Sequence, residues 1–285
     1  MTIDLHLHTT VSDGLHTPLE LLQMAVTAGV TTLSITDHES IEGCLDIADA
    51  AEEQGIRVIP GVELLVTYAG EEIHLLGYGM DLTDRPFLMR LAELRQARNV
   101  VAEQTVRNLQ NLGIPLAWDD VAALAHPHGA ISKGHIVHAL HLGGLLTHPA
   151  PEFIGRYLSR EGLAHVEYDA NSFDQGVELI RAAGGVPVVA HPGLIHTQSL
   201  LPELLRRPHV GLEVFYGYYG PHREQWVREY RRIAEAKKLV MTGGTDYHGP
   251  FAPFKPGSVS IPDWVMPQLD RAMAMARQSR QAAGV

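Results

Sequence analysis

Apolar and polar positions alternate through Ile3-Asp4-Leu5-His6-Leu7-His8 and then give way to helical spacing after Thr17-Pro18, a pairing of strand and helix that recurs along the chain. The pattern predicts strands at 2–8, 31–36, 56–65 and 72–79, with helices at 18–28 and 41–54. Thr17 with Pro18 supplies a cap and a first-turn proline for the first helix, and Gly29 and Gly55 stop the two helices. Short βα units of this kind predict a parallel sheet. From 84 to 160 the strands disappear and successive helices are expected. They are broken at Gly113-Ile114-Pro115, His126-Pro127-His128-Gly129 and Thr147-His148-Pro149-Ala150-Pro151. The rhythm resumes with helix 173–183, strand 186–190, helix 198–207, strand 210–216, helix 222–237, strand 239–244 and a closing helix at 263–282. An α/β fold follows, with 1–83 and 161–285 forming one unit and 84–160 an inserted helical subdomain.

With 285 residues, 45% of them hydrophobic, the chain can bury a core large enough for one (β/α)-type barrel or two smaller domains. The formal charge of −11, from 22 Lys+Arg against 33 Asp+Glu, argues against a broad surface that tracks duplex nucleic acid. An anionic substrate is still admissible, because bound divalent cations reverse the sign of the field inside a pocket. The single cysteine, Cys44, excludes an internal disulfide and any cysteine-cluster metal site, and it fits a reducing cytoplasm. No charged and apolar leader precedes the first strand and no apolar run approaches membrane-spanning length, so neither targeting nor insertion is expected.

Chemistry-bearing residues gather at the ends of the predicted strands: His6 and His8, then Asp37-His38, Glu63, His191, and Asp246 with His248. Side chains at i and i+2 of a strand leave the same face, so His6 and His8 can address one ion. In parallel-strand barrels the C-terminal rim is where such residues meet. His74 sits on the remaining strand and can join from within the mouth. Imidazole with carboxylate is the ligand chemistry of zinc, manganese or iron rather than of calcium or magnesium. The set is too large for one ion. A carboxylate such as Glu63 can bridge two metals roughly 3.5 to 4 Å apart, the separation that serves phosphoryl transfer.

The runs His6-Leu7-His8 with Asp13, Thr36-Asp37-His38, Gly61-Val62-Glu63, Ala190-His191-Pro192-Gly193 and Thr245-Asp246-Tyr247-His248 resemble the motif pattern of the PHP (polymerase and histidinol phosphatase) family over nearly the whole chain. The resemblance implies a distorted (β/α)7 barrel of TIM-like type that holds three divalent metal ions, Mn2+, Zn2+ or Fe2+. Carried onto this sequence, one ion takes His6, His8, Glu63 and Asp246; a second shares Glu63 and takes His74 and His191; a third takes Asp13, His38 and His248. The implied activity is hydrolysis of a phosphate ester by a metal-activated hydroxide, with Glu63, Asp37 and His191 as candidate catalytic residues. Asp37 is expected to orient a ligand or shuttle a proton.

Within the family, the helical segment Leu94 to Leu116 and the phrase Ile131-Ser132-Lys133-Gly134-His135-Ile136 resemble the nucleoside 3′,5′-bisphosphate phosphatases that also act as 5′-to-3′ exonucleases on short RNA or DNA. That subgroup has Ser-Arg-Pro-His where this chain has Ser132-Lys133-Gly134-His135, so an arginine fork becomes a point charge. Ser132, Lys133, His135 and Arg156 are the expected substrate contacts, and the expected partner is a small phosphorylated substrate, a nucleotide or short oligonucleotide. A cyclic-phosphate phosphodiesterase and a histidinol-phosphate-type phosphatase stand as alternatives, as does a catalytically silent metal-binding module.

The remaining candidates carry ordinary readings beside the functional ones. Six of the 17 histidines fall in the motif set, which leaves His138 and His141 as members of a solvated helix face. Glu213 is equally a helper beside the metals and a structural pair. Arg156 and Arg160 suit exposed helix ends, and Tyr216, Tyr218 and Tyr219 are weak candidates for stacking on a base.

Overall fold

Both faces of β1 (Ile3–Leu7) are covered, because Asp4 and His6 are as fully buried as Leu5 and Leu7. The computed structural model describes residues 1–146 and 148–282. Thr147 of the expected turn and residues 283–285 of the expected barrel lie outside them. α1 (Pro18–Thr27) opens on a capping box, in which Thr17 accepts from the Glu20 amide while Glu20 accepts from the Thr17 amide. It ends at Gly29, whose φ of 72° lets Val30 N–H reach back to Ala25 O. β2 (Thr32–Ile35) pairs parallel with β1. The helix expected over 41–54 is two short ones, α2 (Glu42–Asp46) and α3 (Ala48–Glu53), broken at the fully buried Ile47.

The strand expected over 56–65 is likewise two. β3 (Arg57–Val58) pairs parallel with β2 and stops before Pro60-Gly61; β4 (Gly61–Tyr68) then starts afresh. Proline lacks the N–H that a ladder needs, which accounts for the break. β4 turns through Ala69-Gly70, both at positive φ, into β5 (Glu71–Tyr78). A two-residue turn of that hand joins only antiparallel strands. The expectation of a parallel sheet is corrected here: β5 runs antiparallel to β4 and also to β6 (Val186–Val189), while β6, β7 (Gly211–Tyr216) and β8 (Met241–Gly244) are parallel. The strands form a three-stranded sheet β1-β2-β3 and a five-stranded sheet β4-β5-β6-β7-β8. Isolated parallel bridges join them at Leu7–Tyr247 and His38–Glu63.

Between β5 and β6 lie α4 (Arg85–Asn111), α5 (Trp118–Ala122), α6 (Lys133–Leu142), α7 (Ala150–Phe153), a π-helical turn at Ile154–Leu158, and α8 (Phe173–Ala182). α4 serves two cores. Phe87, Leu91 and Leu94 join the main apolar cluster with β4 to β8, whereas Ala102, Val106 and Leu109 join a separate cluster with Ile136, Leu140 and Phe153. The helix expected over 198–207 is a 3-10 turn at Gln198–Leu200 followed by α9 (Leu201–Leu204). α10 (Arg223–Lys237) and α11 (Val265–Ala282) match expectation within two residues at each end. No helix of the described residues is long and apolar enough to cross a membrane.

Candidate metal centre

The ends of β1, β2, β6 and β8 and the start of the β4–β5 hairpin deliver the motif side chains to one buried cluster. Glu63 is the third residue of β4, not the last of a strand, and the His38–Glu63 bridge sets it where β2 ends. Because β5 runs the opposite way, its first half lies at this rim, with His74 opposite Leu65. His6 Nε2 and His8 Nε2 are 3.1 Å apart. Asp246 Oδ1 lies 3.2 Å from each, and Glu63 Oε2 lies 3.4 Å from His6 and 3.1 Å from His8. The other Glu63 oxygen, Oε1, is 3.1 Å from His74 Nδ1 and 3.2 Å from His191 Nε2. Asp13 Oδ1 faces His248 Nε2 at 3.3 Å, with His8 and His38 at 3.8 and 3.9 Å.

Three overlapping groups therefore offer ligand atoms within 4.8 Å of one another: His6, His8, Glu63 and Asp246; His38, Glu63 and His74; and His8, Asp13, His38 and His248. His38 stands between the second and third groups, and His191 approaches the second through Glu63. Asp13 Oδ1, His38 Nδ1 and Asp246 Oδ1 are buried without a hydrogen-bond partner among the described residues. Such atoms are destabilising unless something else satisfies them. Burial alone raises the Glu63, Asp13 and Asp246 carboxyls, but the surrounding histidines hold all three well below the usual carboxylate range. Burial and the Arg98 guanidinium push His38 well below its ordinary value, whereas burial would lower His6, His8, His191 and His248 but the neighbouring carboxylates hold them above theirs, so a cation binding there displaces their protons. Ionised carboxylates and unpartnered lone pairs suit a divalent cation, and the donor set fits zinc, manganese or iron.

A ring of buried acceptors and hydroxyls orients the cluster. Glu213, fully buried on β7, places Oε1 3.0 Å from His6 Nδ1 and accepts the His191 amide on Oε2 at 2.6 Å. Tyr216 donates its hydroxyl to Asp246 Oδ2 at 2.8 Å, a bracing contact rather than base stacking. Tyr218 is buried and accepts from the Gly193 amide, while Tyr219 is exposed. Asp37 Oδ1 accepts from Thr9 N and Ser12 Oγ, and its Oδ2 accepts from Thr9 Oγ1. Its carboxylate is thus saturated by the loop that carries His8 and Asp13. The backbone is strained at His191 (φ 23°), Glu39 (φ 46°) and Asp246 (φ 52°), all non-glycine residues in or beside the cluster.

A cavity of about 140 Å³ opens beside Asp13, His38 and His74, between the strand ends and α4 and α6. Ser132, Lys133 and Gly134 form part of its wall. Ser132 caps α6 and donates to Asp13 Oδ2 at 2.6 Å. Lys133 Nζ is 2.6 Å from Glu72 Oε2. His135 is buried and accepts the Ser132 amide on Nδ1, so it completes the cap. Arg156 is not brought to this cavity: it is exposed on the π-helical turn, with its guanidinium over the Tyr157 ring. Arg160 is exposed as well. His141 is exposed and lies against Phe251. Glu39, Glu72, Arg98 and Tyr168 belong to the surroundings of the site although no sequence signal singled them out.

An α/β fold that concentrates imidazoles and carboxylates around one shared glutamate defines a metal-dependent hydrolase. The PHP domain model matches residues 4–159, and the chain belongs to the PHP-domain family. It is 30% identical to the 5′-3′ exoribonuclease Rnm of Escherichia coli (strain K12), over 87% of this chain and 85% of that protein. It is 29% identical to the 3′,5′-nucleoside bisphosphate phosphatase of Chromobacterium violaceum, over 87% of each chain. A candidate metal-dependent phosphoesterase from Bifidobacterium adolescentis superposes with a TM-score of 0.84 at 26% identity, covering 95% of this chain and 96% of its own.

Proposed function

We propose that this chain is a phosphoesterase that hydrolyses phosphate esters of nucleotides, as a nucleoside 3′,5′-bisphosphate phosphatase, a 5′-to-3′ exonuclease on short oligonucleotides, or both. The observation that carries the reading is Glu63, whose two carboxylate oxygens face different histidine pairs, one of which includes His74 on the wall of the cavity of about 140 Å³. Three ions are the proposed complement, held by His6, His8, Glu63 and Asp246, by Glu63, His74 and His191, and by Asp13, His38 and His248. The overlap of the three groups through His8, His38 and Glu63 supports a shared cluster rather than separate sites. When bound, the cations supply Lewis acidity, lower the pKa of water and offset phosphate charge.

The residues of the chain do the positioning. Glu213 holds a proton at His6 Nδ1 and leaves Nε2 as the donor to the cluster. Asp37 fixes the loop of His8 and Asp13 through Thr9 and Ser12. Ser132 turns Asp13 by taking its second oxygen, and Leu65, Val101 and Ile136 limit water in the cavity. The reaction adds water across a P–O ester bond and releases an alcohol. The bridges Leu7–Tyr247 and His38–Glu63 support reading the two sheets as one distorted (β/α)7 barrel, and the separate apolar cluster of α4 to α7 supports the inserted subdomain at 84–160. A buried lone thiol accords with a cytoplasmic setting.

The test is a comparison of adenosine 3′,5′-bisphosphate, a short 5′-phosphorylated oligonucleotide and histidinol phosphate with one Mn2+-loaded preparation. Release of phosphate or mononucleotide from either of the first two, and not from the third, is expected. Turnover of histidinol phosphate alone overturns the nucleotide reading, and turnover of none of the three, nor of a cyclic phosphodiester, favours a silent metal-binding module.

A further inference from the structure

The wall of the cavity away from the strand ends carries two buried polar groups that the proposed chemistry leaves unused. Tyr168 is 2% exposed, lines the cavity, and has a buried hydroxyl with no hydrogen-bond partner among the described residues. Arg98, on α4, is 7% exposed and lines the same wall. It gives a single nitrogen, Nη1, to protein acceptors among the described residues, at 3.0 and 3.3 Å from the two oxygens of Glu39. Glu39 is itself immobilised, since Oε1 accepts the Leu65 amide and its carbonyl accepts from Arg95. The guanidinium is therefore held in place by one edge, with Nε and Nη2 still able to donate.

Lys133 differs. It occupies the position where sequence analysis expects a phosphate contact, but Glu72 at 2.6 Å neutralises it. An ammonium so engaged has little charge left to offer a ligand.

We propose that Arg98 and Tyr168, rather than Lys133, recognise an anionic group of the substrate other than the one being hydrolysed. This rests on the nucleotide reading of the site. The two free donor sets are N–H and O–H, the rest of the wall includes Leu65, Val101, Ala102 and Ile136, and a compact acceptor-only group such as a phosphate matches both. Arginine suits that role because its planar fork meets two phosphate oxygens at once.

The test uses the full-length, Mn2+-loaded enzyme with the variants Y168F, R98M and K133M. The ratio of kcat/KM for adenosine 3′,5′-bisphosphate over adenosine 3′-monophosphate is expected to fall about tenfold in Y168F and R98M, the scale of one hydrogen bond to a charged group, and by far less in K133M. A ratio unchanged in Y168F, or lowered in K133M alone, overturns the proposal. R98M strips Glu39 of its partner and can fail to fold; Y168F removes one oxygen and keeps the question open to measurement. Calorimetric binding of adenosine 5′-monophosphate reads the cavity without turnover. Affinity weakened about tenfold in Y168F supports the assignment even if the wild type hydrolyses neither substrate, in which case the nucleotide-hydrolysis reading alone fails. Equal affinity in wild type and Y168F removes Tyr168 from recognition and overturns the proposal.

Discussion

Glu213 Oε1 lies 3.0 Å from His6 Nδ1, and both side chains are fully buried. An acidic acceptor at Nδ1 keeps the proton there and turns the Nε2 lone pair towards His8, Glu63 and Asp246. The same carboxylate accepts the His191 amide at 2.6 Å, so one residue of β7 orients two members of the cluster, His6 on β1 and His191 just past β6.

Glu213→Gln should therefore weaken metal binding about 10- to 100-fold while the protein still folds. Competition with a chromophoric chelator measures it. Wild-type affinity in the variant would leave Glu213 with a packing role alone.

Gly244 lies against the backbone of His6. A Cβ there would come 2.4 Å from His6 Cβ and 2.5 Å from His6 N, and the backbone cannot rotate away as a side chain would. Gly244→Ala is expected to lower stability by about 1–3 kcal/mol in urea unfolding and to displace His6 from the cluster. Normal stability with full metal content would contradict the close approach.

Asp37 can be separated from proton transfer by its pH profile. Asp37→Ala leaves Thr9 N, Thr9 Oγ1 and Ser12 Oγ without their buried acceptor and should cost about 1–3 kcal/mol or more. In Asp37→Asn, which keeps the acceptor partly, the pH dependence of kcat is expected to keep its wild-type shape even where the rate falls. Loss of one limb of that profile would make Asp37 a proton carrier.

The gathering of His6, His8, His38, His191, Asp246 and His248 into one cluster was legible because each sits at or just past a strand end, and period-two alternation alone turns His6 and His8 to the same side. Glu63 was legible as a member of the cluster but not in its place. Pro60-Gly61 inside the apolar run carried the signal of a strand break, and the break makes Glu63 the start of a hairpin. The antiparallel β5 was hidden because Ala69-Gly70 lacks the Asn-Gly or Asp-Gly signature of a tight turn. Arg98, Tyr168 and Glu39 were not legible at all. Each is a single polar residue in an unremarkable local pattern, and only packing of α4 and the 161–172 segment against the strand ends gives it a role. Arg156 failed for the opposite reason: its sequence position suggests the cavity, while the π-helical turn points it to solvent beside Tyr157.

Cys44 is fully enclosed, donates its thiol to Ile35 O at 3.0 Å, and is pushed by burial up to about 12. Only the thiolate reacts quickly, so the folded protein should resist iodoacetamide at pH 8 and take up one equivalent after denaturation. Rapid labelling of the native protein would show that the α2 region opens.

The central claim is that His6, His8, Asp13, His38, Glu63, His74, His191, Asp246 and His248 together hold divalent cations. Anomalous diffraction from crystals grown with Mn2+, collected on both sides of the manganese edge, tests it most directly. Peaks are predicted between His6, His8, Glu63 and Asp246, beside Glu63, His74 and His191, and among Asp13, His38 and His248. A cluster without anomalous signal at saturating Mn2+, or with its peaks elsewhere on the protein, would contradict the account.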